Sequence, residues 1–248
     1  MIRTFFRSFF IQGCWNFTGM QNVGFAFGIS PVVCKAVKDN EGRSAALLKS
    51  LELFNTHPYM ATAILGAAAG MELTGGKNVE VNEERISEMK KMLSGSLAGL
   101  GDSFFWATLK PLFSITAIIS GFMGGIVAPL IFLFLYNSFH IWMRIKGFLV
   151  GLERGIKLVD FLRGLKLPEV TERLTGLIAV LTGTLLSGLI FFMPRLLGAG
   201  DWGAWGELRF LAIIPLIVLF ILTRRGFPLL IMLYVFAFFC MAGFYALG

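Results

Sequence analysis

Residues 111–143 read PLFSITAIISGFMGGIVAPLIFLFLYNSFHIWM, 33 positions without one Asp, Glu, Lys or Arg. A water-soluble core does not need so long an uncharged run, whereas a membrane does. As a single helix the stretch would be about 50 Å long, well over the roughly 30 Å hydrocarbon core. Gly121, Gly124, Gly125 and Pro129 interrupt it. It is therefore read as a hairpin: a partial or re-entrant segment, a break near 121–129, and a full span to about Met143.

The same character extends outward. Hydrophobic residues make up 56% of the 248 positions and charged ones 15%, against about a quarter charged in soluble domains. Mean hydropathy is +0.75. Leu53–Met71, Leu174–Met193 and Gly226–Gly248 carry no formal charge, and Phe210–Thr223 is a shorter apolar run. Between them lie charged segments at 35–52, 77–91 and 144–173. Helix is expected from about Asn82 in the second, and Leu152, Ile156, Val159 and Leu162 predict a surface-lying amphipathic helix in the third. Ile2, Phe5, Phe6, Phe9 and Phe10 oppose Arg3 and Arg7, which predicts an amphipathic arm over 1–13. The fold class expected is an all-α membrane protein, a polytopic helical bundle with broken or re-entrant segments. It divides into four regions: an arm and aqueous segment at 1–52, an embedded region at 53–143, an aqueous loop at 144–173, and C-terminal spans at 174–248.

Seven basic residues in 144–173 and the pair Arg224-Arg225 contrast with only Arg195 and Arg209 in 194–209. The positive-inside bias then puts 144–173 in the cytoplasm and the C-terminus outside. The net charge of +7 fits this topology and contact with anionic lipid, and no basic–aromatic platform for nucleic acid is present. Cys14, Cys34 and Cys240 match no metal or redox spacing. No phosphate loop, catalytic triad or zinc pattern occurs, so no cofactor, metal or catalytic residue is assigned.

Polar residues inside the apolar sequence are the candidates for function. A carboxylate at membrane depth costs about 2.5–3.5 kcal/mol and must face a cavity, a partner or a pathway. Asn55, Thr56 and His57 precede Pro58. Asp102, Trp106 and Lys110 recur at intervals of four, which an α-helix would put on one side. A carboxylate and amides beside an indole suit the hydroxyls and C–H face of a sugar. The bland alternatives are a helix cap at Asn55-Thr56 and an interhelical ion pair at Asp102. Gln12, Asn16 and Gln21 around Trp15, and Asn137 with His140, form weaker groups suited equally to backbone capping.

Taken in order, Phe9-Phe10-Ile11-Gln12, Trp15-Asn16-Phe17, Met20-Gln21-Asn22-Val23-Gly24-Phe25, Phe54-Asn55-Thr56-His57-Pro58-Tyr59, Leu97 to Trp106 and Asn137…His140…Arg144 resemble the IID subunits of the mannose/fructose/sorbose phosphotransferase family. Lys110 stands where the family usually has Arg. The resemblance implies a multi-pass protein of the bacterial inner membrane, paired with a IIC subunit in a trimer of IIC–IID heterodimers. It implies cytoplasmic IIA and IIB phosphocarriers, a hexose or amino-hexose substrate phosphorylated from IIB, and no phosphorylated residue in IID itself. Asn55, Thr56, His57 and Asp102 become candidate sugar-path residues. The alternative is a non-transporting scaffold or sensor subunit.

Overall fold

The structure is a computed structural model, and it describes residues 1–75, 79–124 and 127–196 with Ile221 and Arg225. The sequence readings for 197–220, 222–224 and 226–248, the position of the C-terminus included, lie outside the described residues. The chain divides into two compact units, Met1–Gly183 and Thr184–Gly248. Of the second, the described part is the end of one helix and a turn in which Arg225 N–H donates to the Ile221 carbonyl at 3.1 Å.

The first unit is built from α1 (Ile2–Arg7), α2 (Asn22–Ala36), α3 (Asn40–Ser50), α4 (Ala61–Thr74), α5 (Val79–Gly101), α6 (Lys110–Gly124), α7 (Val127–Arg154), α8 (Leu158–Gly164) and the greater part of α9 (Leu167–Leu196). Among the described residues the only β-type pairings are the isolated bridges Asn16–Met20 and Met20–Phe54.

Helix α4 is the centre. Eleven of its 14 residues are buried, and it packs chiefly on α7. The contact is backbone on backbone. A Cβ at Gly66 would lie 2.3 Å from the Phe148 carbonyl oxygen, and one at Gly70 would lie 2.3 Å from that of Leu152. From the other side, a Cβ at Gly151 would meet the Ala63 oxygen at 2.3 Å. Two Gly-x-x-x-Gly stripes, 66–70 and 147–151, thus face each other, the arrangement that lets membrane helices touch without side chains between them. The uncharged run Leu53–Met71 is therefore not one span. Residues 53–60 are loop, and α4 is a short, fully packed core helix.

Helices α6 and α7 form the hairpin that the uncharged 111–143 run suggests. Helix α6 ends at Gly124 and α7 begins at Val127. The Phe113 and Phe139 rings lie 6.0 Å apart, a pairing symmetrical about position 126. Before α6 the chain is helical without interruption. Asn82–Gly121 is a 40-residue helical stretch that contains a window apolar enough to cross a membrane, and that window lies beyond the charged turns ending at Lys91. The helix begins at Val79, three residues earlier than Asn82.

Within this stretch Asp102–Leu109 is wound as a π-helix, and Thr108 Oγ1 donates to the Ser103 carbonyl five residues back at 2.8 Å. Pro111 follows this turn. It has no N–H to donate and its ring crowds the carbonyl four residues earlier, so the ordinary ladder cannot run through it.

Two expected elements are corrected. The 1–13 arm is helical only to Arg7, followed by a 3₁₀ turn at Ser8–Phe10. It buries Thr4, Ser8 and Ile11 and exposes Ile2, Phe6, Phe9 and Phe10, which is apolar-outward packing that suits lipid or a partner. The 144–173 segment is not one amphipathic helix. Helix α7 runs on to Arg154, Gly155 turns the chain at φ +54°, α8 is short, and α9 begins at Leu167, before the charges end.

Candidate functional site

The segment 54–57 is irregular backbone, and it is held in place by the 16–22 loop. Gln21 Nε2 donates to the Thr56 carbonyl at 2.7 Å, and Thr56 N–H donates to Gln21 Oε1 at 3.2 Å. Gln21 N–H donates to the Phe54 carbonyl at 2.8 Å. Asn22 Nδ2 donates to the Leu51 carbonyl at 2.7 Å, and Asn16 Nδ2 donates to Asn22 Oδ1 at 3.0 Å. The buried Gln21 amide and the half-buried Asn16 and Asn22 amides here stand in for the ladder that a strand partner would give. Asn16 and Gln21 accordingly fix the loops, and Gln12 is exposed on the surface.

This clamp sets His57 against the π-helical segment. His57 is 1% exposed. Its ring stacks on Phe105 with centroids 5.1 Å apart and meets the edge of Trp106 at 4.8 Å. A Cβ at Gly101 would lie 2.3 Å from His57 Cβ, so only glycine lets the two segments approach this closely. The 54–59 and 99–106 motifs, 45 positions apart, are one cluster in space.

A third motif completes it. Tyr59 lies beside His57 at 4.8 Å and stacks on His140 at 4.6 Å. Its hydroxyl is 3.3 Å from that of Tyr136, and the Arg144 guanidinium lies 5.2 Å from its ring and 4.6 Å from Phe9. Arg144 is buried and donates to the Ser8 carbonyl at 3.4 Å, with no acidic partner among the described residues. Asn137 donates to the Leu133 carbonyl at 2.6 Å, and its Oδ1 faces His140 Nε2 at 2.7 Å. Tyr59 and Arg144 stand in the quoted motifs but were not assigned to the site from the sequence, and Tyr136 was not singled out at all. The signal was available: Tyr136, His140 and Arg144 recur every four residues, so one face of α7 carries them all.

Several buried polar atoms in the cluster lack a partner: Thr56 Oγ1, His57 Nε2, His140 Nδ1 and Arg144 Nε. Tyr59 N–H points at His57 Nδ1, 3.3 Å away, which places a neutral ring's proton on Nε2. Asn137 Oδ1 takes the Nε2 proton of His140, which leaves Nδ1 as an acceptor. The cluster therefore carries an unused donor and an unused acceptor, a combination that native interiors seldom leave open.

The rim is polar and outward. Asn55, Asp102, Ser103 and Lys110 are exposed, as is Trp106 at 46%. Asp102 and Lys110 share this side but form no ion pair with each other or with other described residues. Two cavities in the unit, of about 380 and 470 Å³, are lined by neither His57, Asp102 nor Trp106. Among the described residues no group of three or more His, Cys, Asp or Glu side chains is placed to hold a metal. The cluster is thus an aromatic and imidazole wall with a carboxylate, an amide and an indole on an open edge.

Known proteins share this arrangement of sequence and fold. The family described as "PTS system mannose/fructose/sorbose family IID component" matches residues 1–196. The mannose-specific EIID component of Escherichia coli K12 is 36% identical over 169 residues, 68% of this chain and 60% of that protein. The fructose permease IID component of Bacillus subtilis is 33% identical over 183 residues, 74% of this chain and 66% of that protein. The matched stretch spans about 60% of the mannose-specific relatives' length. A solved "Structure of membrane protein" is similar at TM-score 0.71 and 25% identity, covering 98% of this chain and 94% of that one. A chain of the mannose transporter ManYZ in complex with microcin E492 is similar at TM-score 0.58 and 26% identity, covering 100% of this chain and 95% of that one. This all-α membrane protein belongs to the mannose/fructose/sorbose phosphotransferase family as a IID component.

Proposed function

We propose that this chain is the IID half of a sugar permease, lining with a IIC partner the path along which a hexose or amino-hexose enters. The observation that carries the reading is the open edge at Asn55, Asp102 and Trp106, set against the buried His57. A carboxylate left facing hydrocarbon is costly. A second protein surface that encloses it would turn the edge into a hydrated, sugar-sized slot. Asp102 and Asn55 accept from and donate to hydroxyls there, and Trp106 packs on the ring's C–H face. Thr56 and His57 form the wall behind.

Phosphoryl transfer belongs to soluble carriers of the IIA and IIB type, which act on the sugar as it is delivered. This chain contributes binding and passage. The excess of basic residues in 144–173 supports a cytoplasmic location for that segment in a bacterial inner membrane, with the C-terminus outside, and the IIC–IID pair is expected to assemble as a trimer. The test is reconstitution in vesicles with IIC, IIA, IIB and a phosphodonor. Sugar phosphate should accumulate only when both membrane subunits are present. Equal accumulation without this chain would refute the reading.

A further inference from the structure

The cavity between α5 and the α8–α9 turn is not part of the proposed sugar site. It encloses about 470 Å³, within the range of small-molecule pockets. Its floor is leucine: Leu93, Leu97 and Leu100 from α5 and Leu162 from α8. Arg163 and Lys166 stand on its rim with Glu169. Both cations are exposed and neither forms an ion pair among the described residues.

The position of the cavity along the chain gives its depth. Helix α5 carries Lys90 and Lys91 immediately before Met92 and Leu93, and the uncharged Leu93 to Leu100 covers about 10 Å of its axis ahead of the span-quality apolar stretch that follows Asp102. The cavity therefore lies between the charged turns of α5 and its span-quality apolar stretch, the level at which a lipid headgroup meets its acyl chains. We propose that it binds one anionic phospholipid, with an acyl chain along the leucines and the phosphate between Arg163 and Lys166. A soluble anion has no use for the leucine floor, and an apolar helix would leave both cations uncompensated. Basic pockets between membrane helices at the headgroup level are suited to such lipids. Glu169 accepts from headgroup hydroxyls, which favours a glycerol headgroup over one lacking donors.

The experiment uses the full chain co-purified with its membrane partner, stripped of lipid and titrated with phosphatidylglycerol or phosphatidylcholine of the same acyl chains. Bound lipid is counted by native mass spectrometry. Phosphatidylglycerol should bind about thirtyfold more tightly than phosphatidylcholine, the order expected of two surface cations. Arg163→Gln with Lys166→Gln should abolish the preference, while Lys146→Gln with Lys157→Gln, the same charge loss elsewhere, should keep it. Equal binding of the two lipids overturns the proposal. So does a preference that survives the first pair or is lost with the second, and so does displacement of phosphatidylglycerol by inorganic phosphate. Should the first pair fail to assemble, the lipid comparison and the phosphate competition on the natural chain still decide.

Discussion

A methyl group at position 101 would lie 2.3 Å from His57 Cβ and 2.4 Å from its Cγ. The tolerance of the whole cluster is set there, because the same imidazole is already stacked on Phe105 and edged by Trp106. Gly101→Ala should therefore lower stability by about 1–3 kcal/mol through overpacking and weaken sugar binding with it. Gly176→Ala, where a Cβ meets nothing within 4 Å, should do neither in the same thermal unfolding and binding assays. Gln21 is the second residue on which the site depends. Its amide exchanges two hydrogen bonds with the Thr56 backbone in a buried place. Gln21→Ala should cost about 1–3 kcal/mol, because it orphans the Thr56 N–H and carbonyl. Gln12→Ala, on an exposed side chain, should leave the melting temperature unchanged. From sequence these two glutamines look alike. The difference between them is the return of residues 51–56 to the 16–22 loop, a contact that no local pattern encodes.

At the scale of elements, the features legible in the sequence are those that local chemistry dictates. The uncharged 111–143 run and its glycines announced a hairpin, and Phe113 lies across from Phe139. The spacing of Asp102, Trp106 and Lys110 announced a shared side, and all three are exposed. The winding there is π rather than α. Less was legible where an apolar run meets protein instead of lipid. Helix α4 has the composition of a span yet is buried against α7, and hydropathy is blind to the two Gly-x-x-x-Gly stripes that make this possible. Helix α2, with Pro31 inside it, has too weak an apolar period to stand out.

One junction between elements carries a pH prediction. Lys49, at the end of α3, pairs with Glu52 and Glu84 at 2.9 Å each, and Glu52 also meets Lys91 at 3.3 Å and Ser87. Burial alone would raise the Glu52 pKa. The hydrogen bonds from Lys49, Ser87 and Lys91 outweigh it and hold the carboxyl at about 2, below its ordinary 4.5. A carboxyl depressed on folding adds stability above its unfolded pKa, and that stability is lost as pH falls through the folded value. Between roughly pH 5 and pH 3 the melting temperature of the wild type should thus fall more than that of Glu52→Gln. Parallel curves for the two would show that the network contributes nothing.

For the molecule as a whole, the decisive feature is that its polar edge is unfinished. Asn55, Asp102, Trp106 and Lys110 face outward from a helical membrane protein, and the imidazoles behind them keep a donor and an acceptor unused. The family gives the kind of partner that would close such an edge, and the chemistry of the edge gives the kind of ligand. On the proposed reading the edge is closed by another chain, whose residues this sequence does not contain. The central claim is that Asp102 touches sugar rather than bracing helices. It is tested most directly by measuring sugar binding to the purified IIC–IID complex carrying Asp102→Asn, with its size checked by chromatography. Loss of one charge-assisted hydrogen bond should weaken binding by about one to two decades while the complex stays intact. Unchanged affinity in an intact complex, or a complex that falls apart, would contradict it.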